Sequence, residues 1–281
     1  MKEKICLGLN SQLDLTYKGQ LDLLKKIGFD AYFFEWNPAF NIPELKSYGD
    51  KLGLICQSMH APFMKMADMW QDGEKAEIAV NELIRCVEDC AENQIPILVC
   101  HCFIGFGTEC PNEIGVKNFT KVVLRGKELG VKIAFENTEG ESYLEKLMEA
   151  FKDYDHVGFC WDTGHEMCYN HSQDLMAKYG ERLLCTHLND NLGISAKDGT
   201  ITFADDLHLL PFDGIADWLN IVGRLNKYGY CDILTFELDT ESKPGRHEND
   251  SYKEMGIENY FAEAYKRACK IAEWKENAHL Q

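Results

Sequence analysis

Short apolar runs alternate with amphipathic stretches along the whole chain, and this alternation restricts the fold more than any other feature. The runs occupy 4–10, 31–36, 54–62, 95–103, 132–137, 157–162, 183–190 and 232–239. Stretches with helical spacing follow each of them, at 19–29, 43–53, 74–93, 116–129, 142–154, 172–183, 215–229 and 257–278. Near-continuous apolar runs suit strands buried on both faces. Gly28, Gly53, Gly130 and Gly229 fall just past helix-like stretches, where helices commonly stop. Eight consecutive βα units in 281 residues predict one α/β domain over 1–281, a (β/α)8 or TIM barrel. A doubly wound open sheet is the alternative, but no GxGxxG follows the first run.

Four of the runs end on a potential metal ligand: Glu136 in IAFEN, Asp162 in FCWDTGH, His187 in LCTHLND and Glu237 in LTFELD. Parallel strands in a barrel bring their C-terminal ends to one face. Three buried carboxylates meeting there would repel one another and raise at least one pKa, and a divalent cation resolves the conflict. Mixed carboxylate and imidazole ligands suit manganese, zinc, cobalt or iron better than an all-oxygen calcium site. More ligand-type residues lie at the same ends: His60 in MHAPF, His101 in VCHCF, His165 three residues after Asp162, and Asp206 and His208 in DDLHLLPFDG. Singly, each has a bland alternative as a turn, cap or hydrogen-bonded core residue. Glu35 ends the second run and can bond a substrate hydroxyl or pair with a lysine. Aromatic residues near the strand ends, Phe34, Trp36, Phe63, Phe103 and Trp161, could stack on a sugar face, with core packing the alternative for Phe34 and Phe103.

The formal charge of −17 opposes nucleic-acid binding, which depends on Lys and Arg neutralising phosphates. The twelve cysteines lie mostly inside apolar runs and form no CxxC, so they read as small buried hydrophobes in a reducing cytoplasm. The CHC at 100–102 allows a thiolate site, with strand alternation as the simpler reading. No apolar run approaches the roughly 20 residues of a membrane span. Two long connections, 191–213 and 240–252, leave strand C-termini and are read either as lids or as solvent-exposed insertions. Arg246 and His247 in the second could meet a phosphate.

On these motifs, HAPF, the CH at His101, ENTxG, WDTGH, HLND and FELD, the chain resembles the xylose isomerase-like barrel superfamily, and within it the sugar phosphate isomerase/epimerase group. The resemblance covers nearly the whole chain. It implies that Glu136, Asp162, His187 and Glu237 hold one divalent metal, manganese first, with Zn2+, Co2+ or Mg2+ as alternatives. It further implies that Glu136 and Glu237 are the catalytic acid/base pair, moving a proton next to a carbonyl through an enediolate. His60, His101, His165, His208, Trp161 and Glu35 are then candidate substrate-binding residues. The expected partner is a small-molecule sugar, with no nucleic acid and no membrane; a homo-oligomer is open. The sequence departs from the epimerases in offering only Glu139 or Glu141, out of register, for a second glutamate, and no Arg before Lys197. The endonuclease IV family of the same superfamily is the alternative. All nine of its zinc-ligand types are present here, but Leu207 stands where that family has a basic residue. A lyase, a dehydratase or a non-catalytic sugar-binding protein on the same frame is a further alternative.

Overall fold

A computed structural model describes residues 2–11 and 13–278. Eight parallel strands form the predicted barrel: β1 Ile5–Gly8, β2 Ala31–Glu35, β3 Ile55–His60, β4 Ile97–His101, β5 Lys132–Glu136, β6 Val157–Asp162, β7 Leu183–His187 and β8 Leu234–Phe236. Their order follows the sequence, with β1 also paired to β8. Closure between β7 and β8 is thinner. It rests on one bridge, Leu188 to Phe236, and on the Thr186 hydroxyl, which accepts from the Thr235 amide at 3.1 Å.

The surrounding helices are α1 Tyr17–Ile27, α2 Ile42–Leu52, α3 Glu74–Glu92, α4 Glu113–Leu129, α5 Glu141–Ala150, α6 Thr163–Cys168, α7 Leu175–Tyr179, α8 Trp218–Lys227, α9 Asp250–Met255 and α10 Ile257–Ala278. Three elements differ from the reading of the sequence. The helix expected over 172–183 shortens to α7, because α6 starts directly at the strand end on the Asp162 cap. The eighth strand keeps only three residues. The connection 240–252 gains α9, whose Tyr252 hydroxyl bonds Asp213 at 2.8 Å.

Strand residues alternate between two faces. Small side chains such as Cys6, Ala31, Ala134, Cys160 and Cys185 form clusters apart from the large outer core of Phe34, Phe135, Phe159 and Trp161. Cys100 and Cys102 are buried, and burial pushes both thiols up, so the CHC offers no thiolate. The described cysteines are free. No described helix is long and apolar enough to cross a membrane.

The long connections are docked on each other. Arg246 donates to the Ala204 carbonyl at 3.2 Å and pairs with Asp205 and Glu248, and Asn249 donates to the Leu207 carbonyl at 3.0 Å. Arg246 is therefore committed inside the protein rather than offered to a phosphate, and exposed His247 pairs with Asp250.

Candidate metal centre

The ends of β5, β6 and β7 and the segment after β8 bring Glu136, Asp162, His187 and Glu237 together, with one ligand atom of each within 4.8 Å of the others. Glu136 is fully buried and central. Its Oε1 lies 2.7 Å from His187 Nδ1, and its Oε2 lies 3.0 Å from His60 Nε2 and 3.3 Å from His101 Nε2. Glu237 Oε2 lies 3.2 Å from the same His187 Nδ1. One imidazole N–H cannot satisfy two carboxylates, so a cation between them is the natural occupant.

Asp162 caps α6. Its Oδ1 accepts the His165 amide at 2.6 Å, and its Oδ2 accepts from Asn189 Nδ2 at 2.9 Å. The glycine of DTGH makes this possible: a Cβ on Gly164 would sit 1.9 Å from Asn189 Oδ1.

A further group, His165, Asp206 and His208, stands beside the first four. His208 Nε2 is 2.9 and 3.0 Å from the two oxygens of Asp206, and His165 Nε2 is 3.4 Å from one of them. Asp190, buried on the seventh connection, positions this group. It accepts from the amides of Asn191, Phe212 and Ala216 and from the Trp218 indole, at 2.8–3.0 Å. Its backbone pairs with Leu209. A Cβ on Gly214 would lie 2.2 Å from Asp190 Oδ1, so the connection needs glycine there. His208 itself has φ +47°, a left-handed conformation uncommon for side-chain-bearing residues.

Three histidines share a telling pattern. Nδ1 faces a backbone carbonyl in His60 (Ala61, 2.7 Å), His165 (Asn137, 2.9 Å) and His208 (Glu237, 3.2 Å). Nε2 of each faces a carboxylate. Both neighbours are acceptors, so each ring is either an imidazolium or a ligand whose Nε2 proton a metal has replaced. An imidazole oriented by a carbonyl through its other nitrogen is the usual arrangement of a metal ligand. That pattern belongs to the adjoining groups; at the four-ligand centre it is the convergence of three carboxylates on His187, two of them on one Nδ1, that fits a divalent ion.

Titration follows the same geometry. Burial opposes ionisation of Glu136, but His187 and hydrogen bonds from three imidazoles hold its carboxyl well below the usual range. Glu237 is likewise held at about 2 against burial, chiefly by His187. Asp162 goes the other way, raised to about 6 by burial. Burial works against protonation of His165, His187 and His208, yet the carboxylates hold all three up, His208 at about 9. Without metal the site balances its charge with protons.

A cavity of about 440 Å³ opens over this centre. His60, His101, His165, His208, Glu35 and Glu237 line it. Glu136 lies beneath, behind its histidines. Trp161 is placed outside the cavity: it neighbours Asp162 on β6 and so points to the opposite face, where its indole bonds Glu166 at 2.9 Å under the Arg224 guanidinium. Of the other aromatics singled out, Phe63 lines the cavity, while Phe34 is core, Trp36 bonds Asp89 and Phe103 stacks on Tyr143. Phe33, Tyr17, Tyr169 and Lys243 line the cavity and were not singled out from the sequence. Parity with Glu35 on β2 would have pointed to Phe33; nothing local marks the other three. Lys243 is the one Lys or Arg in this lining, against Glu35, Glu139, Asp206, Glu237 and Asp239.

Residues 21–256 match the xylose isomerase-like TIM barrel family model. The chain belongs to this family. A probable endonuclease 4 from Mycoplasma capricolum is 30% identical over 161 residues, covering 50% of this chain and 55% of that protein. A second curated relative, the uncharacterized protein y4fM of Sinorhizobium fredii, is 35% identical over 127 residues, covering 43% of this chain. The chain spans only 38% of that relative's length. In fold, the chain matches a crystal structure of an IolI protein with a bound zinc atom, with TM-score 0.75, 17% identity and coverage of 97% and 98% of the two chains. An L-ribulose 3-epimerase matches with TM-score 0.74, 17% identity and coverage of 100% and 98%.

Proposed function

We propose that this family member is a divalent-metal-dependent isomerase or epimerase that moves a proton at a carbon beside the carbonyl of a sugar lacking phosphate. The observation that carries this reading is an acid-lined cavity, with one lysine, set directly over a four-ligand centre whose Glu237 is open to it. Carboxylates and aromatic faces suit hydroxyl groups and sugar rings; they repel a phosphate.

Glu136, Asp162, His187 and Glu237 would hold the ion. When bound, it polarises a carbonyl and offsets negative charge developing on the neighbouring oxygens. Glu237, ionised and facing the cavity, takes the proton at its carboxylate. Glu136 is the second acid/base group of the pair, its Oε2 held by the Nε2 atoms of His60 and His101. Asp206, held by His165 and His208, accepts from hydroxyls, and Phe33, Phe63 and Tyr169 exclude water. Manganese or zinc is the expected ion, with cobalt or magnesium the alternatives.

Glu237→Gln tests this directly. The variant should fold and lose proton transfer on every accepted sugar; full turnover and unchanged metal content would overturn the two-glutamate scheme. A second reading, phosphodiester cleavage at several metals, is favoured by the His60–His101–Glu136 and His165–Asp206–His208 groups and by the endonuclease 4 relative. The acidic lining and the committed Arg246 oppose it. Chelator-sensitive incision of a duplex carrying one abasic site would reverse the ranking.

A further inference from the structure

One thiol lies against the metal centre rather than wholly within apolar packing. Glu136, Cys160 and His187 place one ligand atom each within 4.8 Å of the others, and all three are fully buried. Among the described residues this is the one ligand group that contains sulfur. Register explains the placement. Cys160 is the cross-strand partner of Glu136 between β5 and β6. It also stands two residues before Asp162, so strand alternation turns its side chain to the same inner face.

A buried free cysteine is usually a small hydrophobe. Cys185 has that role. It pairs with Cys160 across β6 and β7, packs with it beside Val99 and Ala134, and joins no ligand group among the described residues. Cys160 shares this packing on one side and meets a carboxylate and an imidazole on the other. Carboxylates and an imidazole alone suit manganese as well as zinc. A sulfur within reach of the same ion separates the two, because zinc takes thiolate readily and manganese prefers oxygen.

We propose that Cys160 is a further ligand of this centre, engaged by zinc and other thiophilic ions and passed over by manganese, so that its sulfur sets which metal the protein keeps. The inference rests on the metal centre of the reading above and not on the sugar. Coordination forms one sulfur–metal bond and releases the thiol proton to solvent.

X-ray absorption at the zinc edge tests it, on the full chain loaded with one equivalent of zinc. The exposed Cys110 and Cys231 are replaced by Ser in this parent so that they contribute no sulfur. The parent spectrum should show one sulfur at about 2.3 Å beside the nearer nitrogen and oxygen ligands. Cys160→Ala should lose that sulfur and weaken zinc at least about tenfold, the loss that even indirect support of a ligand carries, with manganese affinity unchanged. Cys160→Ser repeats the measurement at nearly constant volume, Cys185→Ala should keep the sulfur, and circular dichroism confirms folding. No sulfur around zinc in the parent, more than one, or a sulfur that survives loss of Cys160 overturns the proposal and leaves the four-ligand centre standing. A chain that binds neither zinc nor manganese overturns both.

Discussion

Replacing Asp162 with Asn should stabilise the metal-free protein and abolish its metal response, two effects of opposite sign from one atom pair. The carboxyl is fully buried and its pKa rises from 3.8 to about 6. A raised folded pKa means that the folded state binds the extra proton between those values. Stability therefore falls as pH rises from about 4 through about 6, and the loss is complete above it. At about 1.36 kcal/mol per unit, the buried charge costs roughly 3 kcal/mol at pH 8. Asparagine keeps the Oδ1 cap on the His165 amide. Its new N–H2 would face Asn189 Nδ2, but Asn189 Oδ1 has no hydrogen-bond partner, and a flip of that amide restores the contact. Without the flip, about 1 kcal/mol is lost. The net gain is about 2–3 kcal/mol, or roughly 3–5 °C in melting temperature for a chain of this size. Thermal melts at pH 8, in chelator and then in excess manganese or zinc, read both effects. Wild type should rise with metal, by about 2.7 kcal/mol at a hundredfold excess over Kd. The variant should start higher and stay there. A variant less stable than wild type in chelator, or one with an undiminished metal shift, would refute the reasoning.

Other outcomes follow from the same geometry. Because the His208 pKa is raised to about 9 by Asp206 against the cost of burial, its stabilisation of the metal-free protein is complete below about 6.5 and lost as pH rises through about 9; melts in chelator should show this decline. Proton release on metal binding, measured by calorimetry in buffers of different ionisation enthalpy, should be positive at pH 7; no release would mean that the histidines are neutral in the free site. Asp190→Ala removes an acceptor from four donors and should cost about 3–5 kcal/mol in denaturant melts, with Asp190→Asn milder. Trp161→Phe should leave sugar affinity unchanged while lowering stability, since the indole bonds Glu166 outside the cavity.

The barrel was legible because each strand is a short apolar run, and the four-ligand centre because carboxylates such as Glu136 sit where burial is costly without a cation. Less could be read where tertiary contacts decide. Trp161 and Phe33 exchange roles through strand parity, which composition does not reveal. Lys243, Tyr17 and Tyr169 reach the cavity from outside the strands. Arg246 looked available for a phosphate until Asp205, brought near by the docking of two connections, claimed it. The α6 helix was hidden because Asp162 serves at once as strand end, helix cap and member of the buried carboxylate cluster.

The most direct test of the central claim is deuterium incorporation from D2O into sugars, followed by proton NMR, with protein of measured metal content. A metal-centred proton-transfer site predicts loss of the signal of the hydrogen beside the carbonyl, dependent on metal and absent in Glu237→Gln. Metal-loaded protein that exchanges no such hydrogen on any sugar, yet incises an abasic duplex, would contradict it.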